Sequence, residues 1–532
     1  MQLSDVDYRD IQGLVRFGYG HLREARFYLL QITDAAQASA WIKDHIDDVT
    51  TAVPDRQAPR ALQIAFTCEG LGKLGIAPSV LKQFSLEFRG GMADPNRSRR
   101  LGDVDANRPA CWDWGAPGDD YPDVLVLVYG TEGAFKDWDT QIRRSPWADA
   151  FREIYALSTI RKDDLEPFGF VDGVSQPMLD WSRRKPIRLQ DTTEYTNLSA
   201  LGEFLLGYPN EYGHYTDRPL LDADDQRARV LPLAEDEPGT RDFGRNGTYL
   251  VLRDLRQNVA AFREFVEERS SHDKEKAHAL LGAMSGRVPT DQKIIPPWPK
   301  RAEGWAEGPP PWHAPGAVDD PKRVIPSGGP VNPLSERAID GVGSKMKDIW
   351  LDQFTFDNDP DGTSCPYGAH IRRSNPRNAD LPEGTRGRIR KLLRTLGFDR
   401  RHTHGDLLSS TRFHRIVRRG RAYHEKTEPD GEGCGLRFIA LNANISRQFE
   451  FIQASWLVSS KFNGLDEDDP LVGGRTKLMT GARIDRFTRP QDSGLECRLH
   501  DIPQFVTVRG GAYFFMPGLS ALRYIAGDEG GS

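Results

Sequence analysis

The most constraining feature of this sequence is a rhythm that recurs. Arg26–Ile32 (RFYLLQI), Leu62–Thr67 (LQIAFT) and Val124–Tyr129 (VLVLVY) are apolar and aromatic runs of strand length. Thr33 and Asp34 offer an N-cap to an amphipathic helix over Ala35–Ile46, and Thr131–Arg144 follows the third strand with helical spacing. The alternation returns later: Thr248–Leu255 reads as a strand, Arg256–Arg269 as a helix, Leu436–Asn442 as a strand, Ile445–Leu457 as a helix, and Ala512–Pro517 as a closing strand. Strands separated by helices within about 100–150 residues suit an α+β domain. A chain of 532 residues is too long for one core, so two such units are expected. The duplication rests on rhythm; no residue-level repeat accompanies it.

Composition narrows the function classes. Hydrophobic residues are 38% and charged residues 28%, which fits a folded, water-soluble chain. The formal net charge of -6 gives no global reason to expect nucleic acid or an anionic membrane as partner. Cys68, Cys111, Cys365, Cys434 and Cys497 are scattered and form no CxxC pair, which argues against a disulfide framework, a zinc ribbon and covalent haem attachment. The opening residues lack the basic and then apolar run of a signal peptide, and the apolar runs are too short to span a bilayer. A cytoplasmic protein with no membrane partner is the expectation.

Between Pro289 and Pro333 lie twelve of the 36 prolines. Such a stretch does not sustain regular elements. It reads as a long surface excursion, with a lid over a site as the second reading.

Three segments carry candidate chemistry. In Glu166–Pro177 (EPFGFVDGVSQP), Gly169 and Gly173 bracket Asp172 in apolar company, which suggests a tight turn lying against a core or a ligand. In Ser364–Arg377 (SCPYGAHIRRSNPR), Arg372, Arg373 and Arg377 crowd His370. Arginines in such number want a carboxylate or phosphate, and a metal cofactor with carboxylate tails, such as haem, would explain histidine and arginines together. A structural histidine is the plainer alternative. In Phe413–His424 (FHRIVRRGRAYH), strand alternation puts Arg418 on the face of Ile416 and Arg419 on the other; a solvated face or a nucleic-acid patch is the rival. A hydrolase lacks support: Ser175 follows the turn, but there is no GxSxG, no phosphate-binding loop and no HExxH.

Taken together, these segments resemble the dye-decolorizing peroxidase family of haem enzymes. GFVDG fits that family's GxxDG motif, GAHIRRSNPR is similar to its proximal-histidine segment, and RIVRRG to its distal-arginine strand. GLRFIALNANISRQFEFIQ and GAYFFMPGLSAL are similar to its closing strand and helix patterns, so the likeness runs from about residue 11 to 525. The length and the proline-rich excursion look like the larger, elaborated branch of the family.

The resemblance implies two ferredoxin-like α+β domains, 1–195 carrying the GxxDG turn and 196–532 binding haem, with the proline-rich insertion near 286–336. It implies b-type haem (iron protoporphyrin IX), and hydrogen peroxide with dyes, phenols or similar small organic donors as reactants. His370 would be the iron ligand and Arg373 would meet a propionate. Asp172 would be the distal acid–base group and Arg418 the charge stabiliser. Gly169, Phe170, Val171 and Gly173 would let the turn approach the porphyrin edge, while Leu436 and Phe438 roof the distal pocket. A carboxylate behind the histidine would be Asp469, with Asp468 and Glu467 as alternatives. Asn444 stands where acidic residues are common in relatives. Asp172 as a plain turn cap and Arg418 as a propionate ligand remain open. So do a haem carrier or chelatase-like protein, a nucleic-acid binder built on the same fold, and a homo-oligomeric state. The sequence does not single out a Trp or Tyr that could relay electrons to a surface donor.

Overall fold

The structure, a computed structural model, describes residues 5–53, 58–160, 166–170, 176–183, 197–286, 356, 359, 361–363, 365–377, 410–424, 433–475, 484–491 and 494–528. Val171, Asp172, Gly173 and the proline-rich stretch from residue 287 onward lie outside the described residues.

The first half builds β1 (Glu24–Ile32), α1 (Ala35–His45), β2 (Arg60–Phe66), β3 (Val124–Gly130), α2 (Phe135–Ile142) and β4 (Phe151–Ile160). These strands pair antiparallel in the order β4–β1–β3–β2, with Phe27 opposite both Leu127 and Leu157. The second half builds β5 (Thr248–Gln257), α3 (Val259–Arg269), α4 (Lys274–Ser285), α5 (His370–Ser374), β6 (Val417–Arg418), β7 (Arg421–His424), β8 (Cys434–Asn442), β9 (Val506–Met516) and α6 (Leu519–Ala526). Here β6 and β7 both pair with β8, and the order continues β8–β5–β9. Counting β6 and β7 as one interrupted strand, each half shows the order fourth, first, third, second. That is the ferredoxin-like arrangement, and it gives the suspected duplication a topological form.

The two sheets are not separate. β9 pairs with β2 through Phe515 and Phe66, which joins them into one nine-stranded sheet. Its two edges are bridged by a side chain: Arg421 of β7 donates Nε to Thr159 Oγ1 of β4 at 3.0 Å and Nη2 to Arg23 O at 2.6 Å.

Strand alternation explains why the central strands read as continuous apolar runs. Phe27, Leu29, Leu125, Leu127, Leu250, Leu252 and Phe514 pack on one face, while Tyr28, Leu30, Val124, Val126, Tyr249, Val251 and Phe515 pack on the other. Both faces are covered, so both sets must be apolar. Each such side chain contributes about 1.5–3 kcal/mol when fully buried. Asp34 caps α1 by accepting from Ala36 N at 2.8 Å and Gln37 N at 3.0 Å, and Trp41 then sits buried with Nε1 donating to Ile142 O at 2.9 Å. The helix expected over Ile445–Leu457 is wound wider than an α-helix: Ser446–Glu450 and Ile452–Leu457 are π-helical, with Glu450 N bonded to Ile445 O. Such windings are frequent at functional sites, and this one borders the cavity described next.

Candidate active site

A cavity opens beneath the second-half sheet, and side chains from both halves of the chain line it. Leu436 and Phe438 of β8 and Phe170 of the glycine-bracketed turn supply an apolar wall, and His370 faces it from the start of α5. Arg377, Arg415 and Arg418 line it as cations.

His370 has a built partner. Its Nδ1 lies 2.9 Å from Oδ2 of Asp469, which is fully buried. The other oxygen, Oδ1, accepts from Leu471 N and Val472 N, each at 2.9 Å. Burial pushes this carboxyl up, but His370, Arg373 and the backbone N–H groups outweigh it and hold Asp469 below the ordinary carboxylate value. An acceptor on Nδ1 leaves Nε2 as the nitrogen able to bind a metal, and a carboxylate behind it makes the imidazole a stronger ligand. Of the three consecutive acids, only Asp469 meets the histidine. Asp468 pairs with Arg475 at 2.8 Å, and Glu467 accepts from Thr488 Oγ1 at 2.8 Å.

Arg418 is placed by β6. Its N–H donates to Gln176 Oε1 at 2.9 Å, and its carbonyl accepts from Gln176 Nε2 at 3.2 Å. Gln176 lies just beyond the GFVDG motif, so the segment that carries the motif is hydrogen-bonded to the arginine strand. The alternation read from RIVRRG also appears: Ile416 and Arg418 line the cavity, whereas Arg419 turns away and donates to Leu14 O at 2.8 Å and Val15 O at 3.0 Å. Burial lowers the Arg419 guanidinium to about 10.

Arg373 requires a correction. Its guanidinium is fully buried but faces away from the cavity, donating to the carbonyls of Trp456 at 2.8 Å, Glu467 at 3.0 Å and Ser459 at 2.6 Å. Arg372 is likewise committed, to Asp359 Oδ2 at 2.9 Å and Cys365 O at 2.7 Å. Of α5, His370, Ile371 and Ser374 line the cavity, whereas Arg372 and Arg373 are held by interior partners. The arginines that line the cavity are Arg377, past the helix end, Arg415 and Arg418 of the segment 415–418, and Arg253, which is paired with Asp103.

Several lining residues had no signal in the sequence. Glu166 and Gln257, and the buried pair Asp103 and Arg253 at 2.5 Å, all border the cavity. The last pair joins a first-half loop to β5, which no local pattern announces. His414 also borders it, but its ring is stacked on Phe451 at 3.6 Å and its Nδ1 is bonded to Arg447 O.

The donor set fits haem. An apolar wall suits a flat macrocycle, a carboxylate-backed imidazole suits iron, and cavity-lining arginines suit its carboxylate tails. Among the described residues no cluster of three or more His, Cys, Asp or Glu could hold a metal ion alone, and no helix is long and apolar enough to cross a membrane.

Comparison with known proteins points the same way. No protein-family model matches the chain. Over 564 residues it is 25% identical to a dye-decolorizing peroxidase of Mycetinis scorodonius, covering 98% of this chain and 88% of the relative. It is 24% identical to a multifunctional dye peroxidase of an Amycolatopsis species over 97% of this chain and 92% of the relative. A dye-decolorizing peroxidase solved in complex with 2,6-dimethoxyphenol superposes with a TM-score of 0.65, 20% identity, and coverage of 98% of this chain and 100% of that chain. Over nearly its whole length the chain is similar in sequence to dye-decolorizing peroxidases, and it shares the fold of DyP-type peroxidase structures.

Proposed function

We propose that the chain is a haem peroxidase that reduces hydrogen peroxide while oxidising dyes, phenols or similar small organic donors, with haem b seated in the cavity. The observation that carries this reading is the cavity-facing His370 backed by buried Asp469. Haem, when bound, supplies an iron that takes up the oxidising equivalents of peroxide and passes them to donors.

The chain's own residues do the rest. His370 offers Nε2 to the iron while Asp469 accepts from Nδ1 and fixes the ring. Arg377 and Arg415, rather than Arg373, meet the carboxylate tails. Asp172 takes the proton from peroxide on its carboxylate and returns it to the departing oxygen. Arg418 holds a positive charge where negative charge develops as the O–O bond breaks. Leu436, Phe438 and Phe170 keep water from the distal side. The first half, 1–195, contributes the turn that closes a cavity built chiefly by 196–532.

A carrier or chelatase-like role would use His370 but has no need of Arg418 in the cavity wall. The deciding experiment mixes peroxide with the haem-loaded protein: a rapid change in the Soret band followed by return on adding a phenol supports the peroxidase. A band indifferent to peroxide overturns it.

A further inference from the structure

Gln176 and Arg418 lie 242 residues apart and meet through two hydrogen bonds. Gln176 Oε1 accepts from Arg418 N at 2.9 Å, and Gln176 Nε2 donates to Arg418 O at 3.2 Å. Both bonds go to the main chain of a residue that lines the cavity. The need for them follows from strand geometry. β6 is two residues long and ends the strand order of the sheet among the described residues, with Val417 opposite Leu441 and Arg418 opposite Ala440 of β8. In an antiparallel pair the N–H and C=O of one residue point to the partner strand, and those of the next point away. Arg419 N donates to Ile439 O at 2.8 Å, so the N–H and C=O of Arg418 point away from β8. A carboxamide carries an acceptor and a donor, the same pair that a neighbouring strand would present, and Gln176 offers it there.

Gln176 is itself held from behind. Its carbonyl accepts from Asn197 Nδ2 at 2.7 Å, and Asn197 O accepts from Met178 N at 2.9 Å. These bonds flank Pro177, and Met178–Leu179 then runs parallel to Leu198–Ser199. Asn197 is buried and, like Pro177, borders the cavity. From the far side of Arg418, Arg419 Nη1 donates to Arg418 O at 3.2 Å, and Arg419 is anchored to Leu14 O and Val15 O. The main chain of Arg418 is therefore gripped by a first-half segment that is fixed on its own account, while its side chain is left to the cavity wall.

We infer that Gln176 is a positioning residue for Arg418: its side-chain amide stands in for a missing strand and fixes the main chain from which that arginine enters the cavity wall. This rests on the peroxidase reading above. Leucine at 176 keeps the bulk and loses both bonds. Glutamate keeps an acceptor for Arg418 N but sets a second oxygen against Arg418 O. A charge stabiliser works only if it already stands where charge develops, and a displacement of about 1 Å costs on the order of a hundredfold in rate.

The test is a double-mutant cycle on the haem-loaded protein with Q176L, R418L and the pair, reading the peroxide reaction by stopped flow, fluoride affinity by absorption spectrum, and melting temperature. Fluoride probes the resting protein: an anion held beside a cation is stabilised by it, so its dissociation constant reports Arg418 without turnover. Q176L should slow the peroxide reaction about ten- to a hundredfold and weaken fluoride binding, with the Soret band intact. The pair should be no slower than R418L and bind fluoride no more weakly, because a positioning residue then has nothing left to position. A glutamine that only supports the fold would lower the melting temperature with rate and fluoride affinity unchanged, or would slow R418L by the same factor as the wild type; either outcome overturns the inference. If Q176L does not fold, Q176E takes its place with the same expected pattern, and wild-type rate and fluoride affinity there overturn the inference as well. If R418L itself keeps the wild-type rate and fluoride affinity, the assignment of Arg418 fails and the inference falls with it. R418L slow with Q176L unimpaired sinks the inference alone.

Discussion

His370 Nδ1 and Asp469 Oδ2 lie 2.9 Å apart across 99 residues of sequence. Removing a group that backs a metal-ligating histidine typically costs ten- to a hundredfold in metal affinity. Asp469→Asn keeps an oxygen that can accept from Nδ1 but loses the charge. Haem affinity, measured by titrating the haem-free protein, should fall by about that factor, and Asp469→Leu should fall further. Equal affinity in all three proteins would mean that Asp469 does not act through His370.

Arg373→Ala should act on folding rather than on the cofactor's tails. Its guanidinium satisfies the carbonyls of Trp456, Ser459 and Glu467 in the interior. Leaving buried acceptors without donors costs about 1–3 kcal/mol each, so urea unfolding should show a loss of about 3 kcal/mol or more. Arg377→Ala should instead weaken haem binding. The reverse pattern would restore Arg373 to the cofactor.

How much of this was legible in the sequence depends on the range of the interaction. The strands and their two-sided burial were readable because Leu125, Val126 and Leu127 alternate faces that are both covered. The alternation of Arg418 and Arg419 was readable for the same local reason. The joining of the two sheets through Phe515 and Phe66 was not, because one residue pair carries it across the whole chain. The partners of Arg373 were not legible because three arginines near a histidine are equivalent in sequence, and only their long-range partners, the carbonyls of Trp456, Ser459 and Glu467 for Arg373 and Asp359 for Arg372, separate them. Glu166 sat inside the stretch that drew attention, yet its partner Gln257 lies 91 residues away.

Glu203 gives a prediction about pH and stability. It is buried, and burial raises its carboxyl from 4.5 to about 7, against the pull of Arg447 and the Glu211 N–H and with added repulsion from the Glu211 carboxylate. Arg412, paired with Glu211 at 2.9 Å, is the other charge in this group. Between these two pH values the folded state holds a proton that the unfolded state has released. Stability therefore falls as pH rises from 4.5 to about 7, by on the order of 3 kcal/mol, and levels off above. Glu203→Gln should flatten this part of the stability curve in urea titrations; an unchanged slope would place the titrating group elsewhere.

If Asp172 is the distal base, as proposed above, acid activity follows. An aspartate starts near 3.9, about 2.6 below an ordinary histidine. Dye oxidation should persist at about pH 4–5 and fall below it, and Asp172→Asn should slow the peroxide reaction while retaining haem. Loss of activity already near pH 6.5 would point to a histidine base, and wild-type rates in Asp172→Asn, Arg418→Leu and the double mutant would leave the GFVDG turn a structural corner.

The most direct measurement is an absorption spectrum of the purified protein titrated with haem, set beside those of His370→Ala and His414→Ala. The wild type and His414→Ala should develop a Soret band that shifts on adding peroxide, while His370→Ala should fail to retain haem or show a clearly altered band. An unchanged Soret spectrum in His370→Ala, or no Soret band in the wild type, would contradict the assignment of this cavity as a haem site held by His370.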